Sequence, residues 1–273
     1  MSHLKHLRTA AGILLVCLML GLGYWGLQKN IFTSKAAIEK TQPVMAIVID
    51  DFGGADTHGV KEFMAMDIPI TMAVMPNLSH SVEQSREAHQ RGHEVILHQP
   101  MEPVKGKASW LGPGAIVSNM SDKEIKATFT KNLQTVPYAK GFNNHTGSRI
   151  TSNKEKIIPM LEVAQNRGLY VLDSLTSVNS QVIPAAKSMN IPCVKRDIFL
   201  DDVKSKDHIQ KQLSKACKVA KKQGFAVVIG HVGQGGNITA EAIKEAIPSI
   251  QKEGIKLVPL SEIVKLNTGN EKI

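Results

Sequence analysis

From residue 43 onward the chain alternates between two hydrophobic patterns. Short runs rich in β-branched and apolar residues occur at Met45–Ile49, Ile70–Met75, Glu94–Leu97, Leu169–Leu172, Ile191–Val194, Ala226–Ile229 and Ile255–Val258, with a weaker run around Gly141–Asn143. They are mostly apolar on both faces, as strands buried in a parallel sheet are. Helical patterns lie between them. Ser121 and Glu124 form a capping box ahead of Ile125, Phe129 and Leu133, and Ser152 and Glu155 repeat the device ahead of Ile158, Leu161 and Ala164. Gly92, Gly168, Gly224 and Gly254 each fall between a helical pattern and the next strand, the usual place of a left-handed helix cap. This alternation predicts an α/β domain with a parallel sheet, doubly wound or closed into a barrel.

Upstream the pattern changes. Ala10–Leu27 is apolar or small, with Tyr24 and Trp25 near its end and Lys5 and Arg8 before it. A bilayer core takes roughly 17–25 such residues, so the segment predicts one membrane crossing that leaves Lys5 and Arg8 in the cytoplasm. The expected organisation is a cytoplasmic n-region at 1–8, a transmembrane signal-anchor at 9–27, a linker at 28–42, an extracytoplasmic domain at 43–265 and a tail at 266–273. The rival reading is a cleaved signal peptide and a secreted domain, with its small-residue site near Ser34 and Ala36.

Composition narrows the function. The 273 residues suffice for one large domain. The net charge is +9, of which residues 1–40 carry +4 from Lys5, Arg8, Lys29, Lys35 and Lys40 against Glu39. That excess suits anionic surroundings such as lipid headgroups or an acidic wall polymer, but no basic run is dense enough for nucleic acid. No GxGxxG or P-loop follows any strand, which disfavours a nucleotide. The three cysteines, Cys17, Cys193 and Cys217, form no CxxC pattern, so a thiolate zinc site is disfavoured. The long loop Glu102–Asn119 has the length of a functional loop.

The chemistry gathers at strand ends. The first run ends in Asp50-Asp51, the third in His98, the weak fourth in Asn143-Asn144-His145, the fifth in Asp173-Ser174 and the seventh in His231. Singly, each has an ordinary structural reading as a cap, a turn or a packed imidazole. Together they lie where β/α folds build their active face. Imidazole and carboxylate without thiolate fit a catalytic divalent ion with three protein ligands and water. Consecutive side chains of a strand diverge, so one aspartate is expected to face the metal while the other holds water, as metal-assisted hydrolysis requires. His58, His80, His89, His93 and His208 fall elsewhere and read as surface or packing residues, with His93 at the opposite end of its strand from His98.

Three segments carry a family resemblance: Ile47-Val48-Ile49-Asp50-Asp51-Phe52-Gly53, Gly92-His93-Glu94-Val95-Ile96-Leu97-His98, and the late His231. They resemble the polysaccharide deacetylases of the NodB-homology type, and more closely their divergent, YibQ-like branch. His98-Gln99-Pro100-Met101-Glu102-Pro103, Asn143-Asn144-His145-Thr146-Gly147-Ser148-Arg149 and Arg196-Asp197-Ile198-Phe199-Leu200-Asp201 support the likeness, which spans about residues 44–262.

The resemblance implies an irregular (β/α) barrel of about seven strands and a metal-dependent deacetylase acting on a cell-envelope glycan. It implies Asp50 as general base, Asp51 and His98 as ligands of a divalent ion, zinc first, and His231 as general acid. Asp173 stands where the family has a carboxylate orienting its catalytic partner, and Asn144 and Arg149 are the expected substrate contacts. The family's second motif histidine is Glu102 here, so the third ligand is either Glu102 or His145, with His145 preferred because two imidazoles hold zinc better. That departure also motivates an alternative, a catalytically inactive envelope module that binds glycan or protein.

Overall fold

The structure, a computed structural model, describes residues 42–106 and 111–270. The expected membrane segment 9–27, the n-region 1–8 and all of the linker 28–42 except Gln42 lie outside the described residues. Among the described residues no helix is long and apolar enough to cross a membrane.

Among the described residues nine parallel strands form one sheet: β1 (Val44–Phe52), β2 (Thr71–Val74), β3 (Glu94–Met101), β4 (Gly141–Thr146), β5 (Tyr170–Asp173), β6 (Cys193–Lys195), β7 (Ile198–Phe199), β8 (Phe225–His231) and β9 (Lys256–Leu257). Their order is β6-β5-β4-β3-β2-β1-β8-β7, with β9 beside the first residues of β1. The edge strands β6 and β7 do not pair. The sheet is therefore a parallel half-barrel, open along one seam, with two more strands than the seven expected. The extra strand without a sequence signal is β7, whose two residues are too few to show a period.

Alternation along β1 explains how the sheet is buried. Met45, Ile47 and Ile49 join an outer core under the surrounding helices, while Val44, Ala46 and Val48 join an inner core. β1 thus feeds two cores, as do β2, β3, β5 and β8, which is why those runs look apolar throughout. The inner core is completed by the last helix, Leu260–Asn270, which contributes Leu260, Ile263 and Val264. That helix continues past residue 265, where the domain was expected to end. The first two N–H groups of this helix are met from the barrel floor: Leu260 N donates to Thr71 Oγ1 at 3.0 Å and Ser261 N to Glu94 Oε1 at 3.0 Å.

The helix punctuation is largely as read. Ser121 and Glu124 make a reciprocal capping box at the start of the helix Asp122–Gln134. Gly92, Gly168, Gly224 and Gly254 all have positive φ. One cap differs: the helix Lys154–Asn166 is capped by Asn153, whose side chain accepts from the Glu155 and Lys156 N–H groups. Ser152 instead donates to Ser148 O at 2.8 Å, which ties it to the preceding turn rather than to the helix.

Candidate metal centre

The same alternation aims the polar residues at the C-terminal strand ends. On β1 the inner series Val44, Ala46, Val48 continues to Asp50. On β3, Ile96 is inner, so His98 is inner. On β4, Phe142 belongs to the outer core, so Asn143 and His145 face inward. On β8, Val227 and Ile229 lead to His231, which is in register with Asp50.

Asp51 breaks the rule. By parity it belongs on the outer face with Ile49, yet its φ is +71° and the β1–β2 register shifts between Ile49 and Phe52. This bulge turns the Asp51 side chain back toward the inner side. Both aspartates then approach one imidazole: Asp51 Oδ1 is 3.2 Å and Asp50 Oδ2 3.7 Å from His98 Nε2. The two side chains converge instead of diverging, because the backbone between them leaves the strand conformation. An aspartate tolerates this left-handed geometry better than most residues, at a cost of about 1–2 kcal/mol.

Asp51, His98 and His145 form the cluster. Asp51 Oδ1 is 3.0 Å from His145 Nδ1, and the two imidazoles meet at 3.1 Å between His98 Nε2 and His145 Nδ1. Despite these short distances, Asp51 Oδ1 is buried and receives no well-aligned hydrogen bond. Three ligand atoms pressed together, one with an orphaned lone pair, fit a shared cation better than a ring of hydrogen bonds. Tetrahedral ligands about 2.1 Å from zinc stand roughly 3.4 Å apart, close to the spacing found. These are the only His, Cys, Asp and Glu residues among the described residues that gather closely enough to hold an ion.

Electrostatics support the same reading. Burial works against charge on His98, but the Asp50 carboxylate and the adjacent Asp51 outweigh it and hold its pKa at about 9. Burial would raise Asp51, yet the His145 and His98 imidazoles crowded against it bring it well below the ordinary carboxylate value. Burial dominates at Asp50 and raises its pKa, only partly offset by the charges of His98 and His231.

His231 is held by a residue the sequence reading had not assigned a role. Its Nδ1 lies 2.8 Å from Asp201 Oδ1, while Asp201 Oδ2 accepts from His231 N at 3.0 Å, Thr239 Oγ1 at 2.9 Å and Lys204 Nζ at 2.8 Å. Burial alone would raise Asp201; its hydrogen bond with His231 and the Lys204 ammonium bring it down to about 2. Burial would lower His231, but Asp201, Asp50 and Asp51 raise it. The signal for Asp201 was parity: Leu200 packs in the outer core, so Asp201 faces inward. Asn143 was likewise passed over; it joins His98 to Asp50.

Four expected site residues lie outside this cluster. Asp173 follows the outward Val171, and its Oδ1 accepts from Leu175 N at 2.8 Å; it shapes the turn after β5, and the carboxylate that meets His231 is Asp201. Asn144 shares the outward parity of Phe142 and is buried, donating to Thr146 O and Thr176 Oγ1 and accepting from Ser174 N. Glu102 follows the end of β3 and turns to Arg149 Nε at 3.0 Å and Ser118 N at 2.6 Å, so His145 rather than Glu102 completes the triad of ligand atoms. Arg149 is spent on Glu102 and on Val104 O. Among the described residues the remaining histidines stay apart, and His93 is buried at the other end of β3 with Nε2 3.2 Å from Met64 O.

Comparison with known proteins places this site in a family. Residues 47–264 match the divergent polysaccharide deacetylase family. The protein YibQ of Escherichia coli is 35% identical over 208 residues, covering 75% of this chain and 64% of the relative. The chain thus spans just under two thirds of that relative's length. A protein of Haemophilus influenzae is 30% identical over 235 residues, covering 85% of this chain and 79% of its own. Among solved structures, ATU2773 of Agrobacterium tumefaciens superposes with a TM-score of 0.75 at 22% identity, covering 81% of this chain and 89% of that one, which establishes the shared fold. With this match over most of its folded part, the chain belongs to the divergent polysaccharide deacetylase family.

Proposed function

We propose that the chain is a metal-dependent deacetylase acting on a cell-envelope polysaccharide. The observation that carries this reading is the convergence of Asp51, His98 and His145 beside the inward-facing Asp50 and the Asp201-held His231. The family membership supports the reaction class. The presence of His145 answers the Glu102 departure, which was the main ground for an inactive binding module.

The division of labour follows from the surroundings of each group. Asp51, His98 and His145 would hold a divalent ion, zinc first, which when bound supplies Lewis-acid polarisation of an acetyl carbonyl and a lowered water pKa. Asp50, raised by burial, is matched to accept a proton from the attacking water. His231 keeps its Nδ1 proton toward Asp201, and its raised pKa keeps a second proton for the leaving amine or alcohol. The water oxygen bonds to the acyl carbon and gives a proton to Asp50, the C–N or C–O bond to the glycan breaks, and the leaving nitrogen or oxygen takes the His231 proton, which releases acetate.

By its sequence, the domain works outside the cytoplasm. Residues 9–27 tether it to the membrane, residues 1–8 stay inside, and the linker 28–42 gives reach to an envelope glycan. Release of acetate from a panel of acetylated wall glycans by the purified zinc-loaded chain tests the activity. Release by wild type, abolished in a folded Asp50→Asn variant, is the expected result. Failure across the panel with metal demonstrably bound would sink the deacetylase.

A further inference from the structure

We infer that Asn143 is a positioning residue that fixes both the metal-facing nitrogen of His98 and the orientation of the Asp50 carboxylate. This rests on the metal reading above and adds a role to it. Asn143 is fully buried on the inner face of β4, in register with His98 on β3. Its Oδ1 is 2.7 Å from His98 Nδ1, and its Nδ2 donates to Asp50 Oδ1 at 2.9 Å and to Ser174 Oγ at 3.1 Å.

The orientation of the amide follows from its neighbours. Asp50, when ionised, only accepts, so the NH2 group faces it and the carbonyl faces His98. An amide turned the other way would set two acceptors against each other across 2.9 Å between two side chains buried from solvent. The carbonyl then demands a proton on His98 Nδ1. With Nδ1 committed, Nε2 is the nitrogen left for a ligand bond, and it is the nitrogen that faces Asp51 and His145. The amide's two protons are both used, one on Asp50 and one on Ser174, so the group has no freedom to swing. One side chain therefore ties the expected base to an expected ligand, two residues 48 positions apart in sequence.

Partners that orient a ligating imidazole typically change metal affinity by about 10–100-fold when removed. The test uses the full chain titrated with Co2+, reading both the dissociation constant and the visible ligand-field spectrum. Two variants separate the contacts. Asn143→Leu keeps the branched outline of the side chain and removes both; Asn143→Asp keeps an acceptor for His98 Nδ1 and removes the donor to Asp50. The expected result is a loss of affinity of about 10–100-fold with an altered spectrum in Asn143→Leu, and affinity and spectrum close to wild type in Asn143→Asp. In the glycan assay Asn143→Asp is expected to lose acetate release despite bound metal, because Asp50 has lost its hydrogen bond. Wild-type affinity and spectrum in a folded Asn143→Leu would overturn this role while leaving the metal centre standing. A wild-type chain that takes up no cobalt would overturn both. Should Asn143→Leu fail to fold, a folded Asn143→Asp whose metal affinity drops with that of an Asn143→Ala variant would count against the acceptor role.

Discussion

A one-residue question of parity decides which polar side chains reach the centre. Asp50, His98, Asn143 and Asp201 each come directly after an outer apolar residue, and His145 shares the inward parity of Asn143, whereas Asp173 comes after the inner Leu172 and Asn144 shares the outward parity of Phe142. From this arrangement His98→Ala is expected to abolish metal binding at the site with the far-UV circular dichroism unchanged, since His98 belongs to neither apolar core; metal analysis of the purified variant reads it. A second expectation concerns pH. Asp201 raises His231, so the protonated acid persists to higher pH than a free imidazole would. Removing the charge with Asp201→Asn lowers the His231 pKa, and the alkaline limb of the pH–rate profile moves to lower pH; an unmoved limb would detach Asp201 from the acid. Most of the centre was legible in sequence because residue type and strand-end position both pointed to it. Asp201 and the misplaced Asp173 were not told apart, because β7 is too short to reveal its own alternation and the reading did not carry parity past the end of β5.

The elements that shape the centre are two strand ends that leave regular geometry. β1 bulges at Asp51, and the chain then turns at Gly53, whose φ is +99° and whose absent Cβ would stand 2.9 Å from Met75 O. β4 ends in Thr146 and Gly147, with φ of +51° and +91°, and a Cβ at Gly147 would meet Met101 Cβ at 2.7 Å. That turn follows His145 directly and holds it against β3. Gly147→Ala is accordingly expected to cost about 1–3 kcal/mol. At roughly 2–4 °C per kcal/mol for a domain of this size, thermal denaturation should show a clear fall, along with weakened metal affinity. Strands and helices themselves were readable from period and caps. The bulge was not, since an Asp-Asp pair looks the same in sequence whether its side chains diverge or converge; only the register with β2 distinguishes the cases.

At the scale of the whole molecule, an open half-barrel needs something to fill its inner face. The last helix does so with Leu260, Ile263 and Val264, and Glu94 and Thr71 hold its first turn. Ile263 is fully buried, and Ile263→Ala should destabilise the domain by about 2–5 kcal/mol. That is a large share of the 5–15 kcal/mol typical of a folded domain, and chemical denaturation will measure it. An effect near zero would mean that the inner core does not depend on this helix. The half-barrel was legible as strand–helix alternation, but its open seam and helical filling were not, because they arise from pairings between distant segments. The central claim is that this fold exists here to bring Asp51, His98 and His145 around one ion. Anomalous diffraction at the zinc edge from zinc-loaded crystals tests it most directly. The account predicts one strong peak bonded to Asp51 Oδ1, His98 Nε2 and His145 Nδ1; zinc bound elsewhere, or a site holding none at full loading, would contradict it.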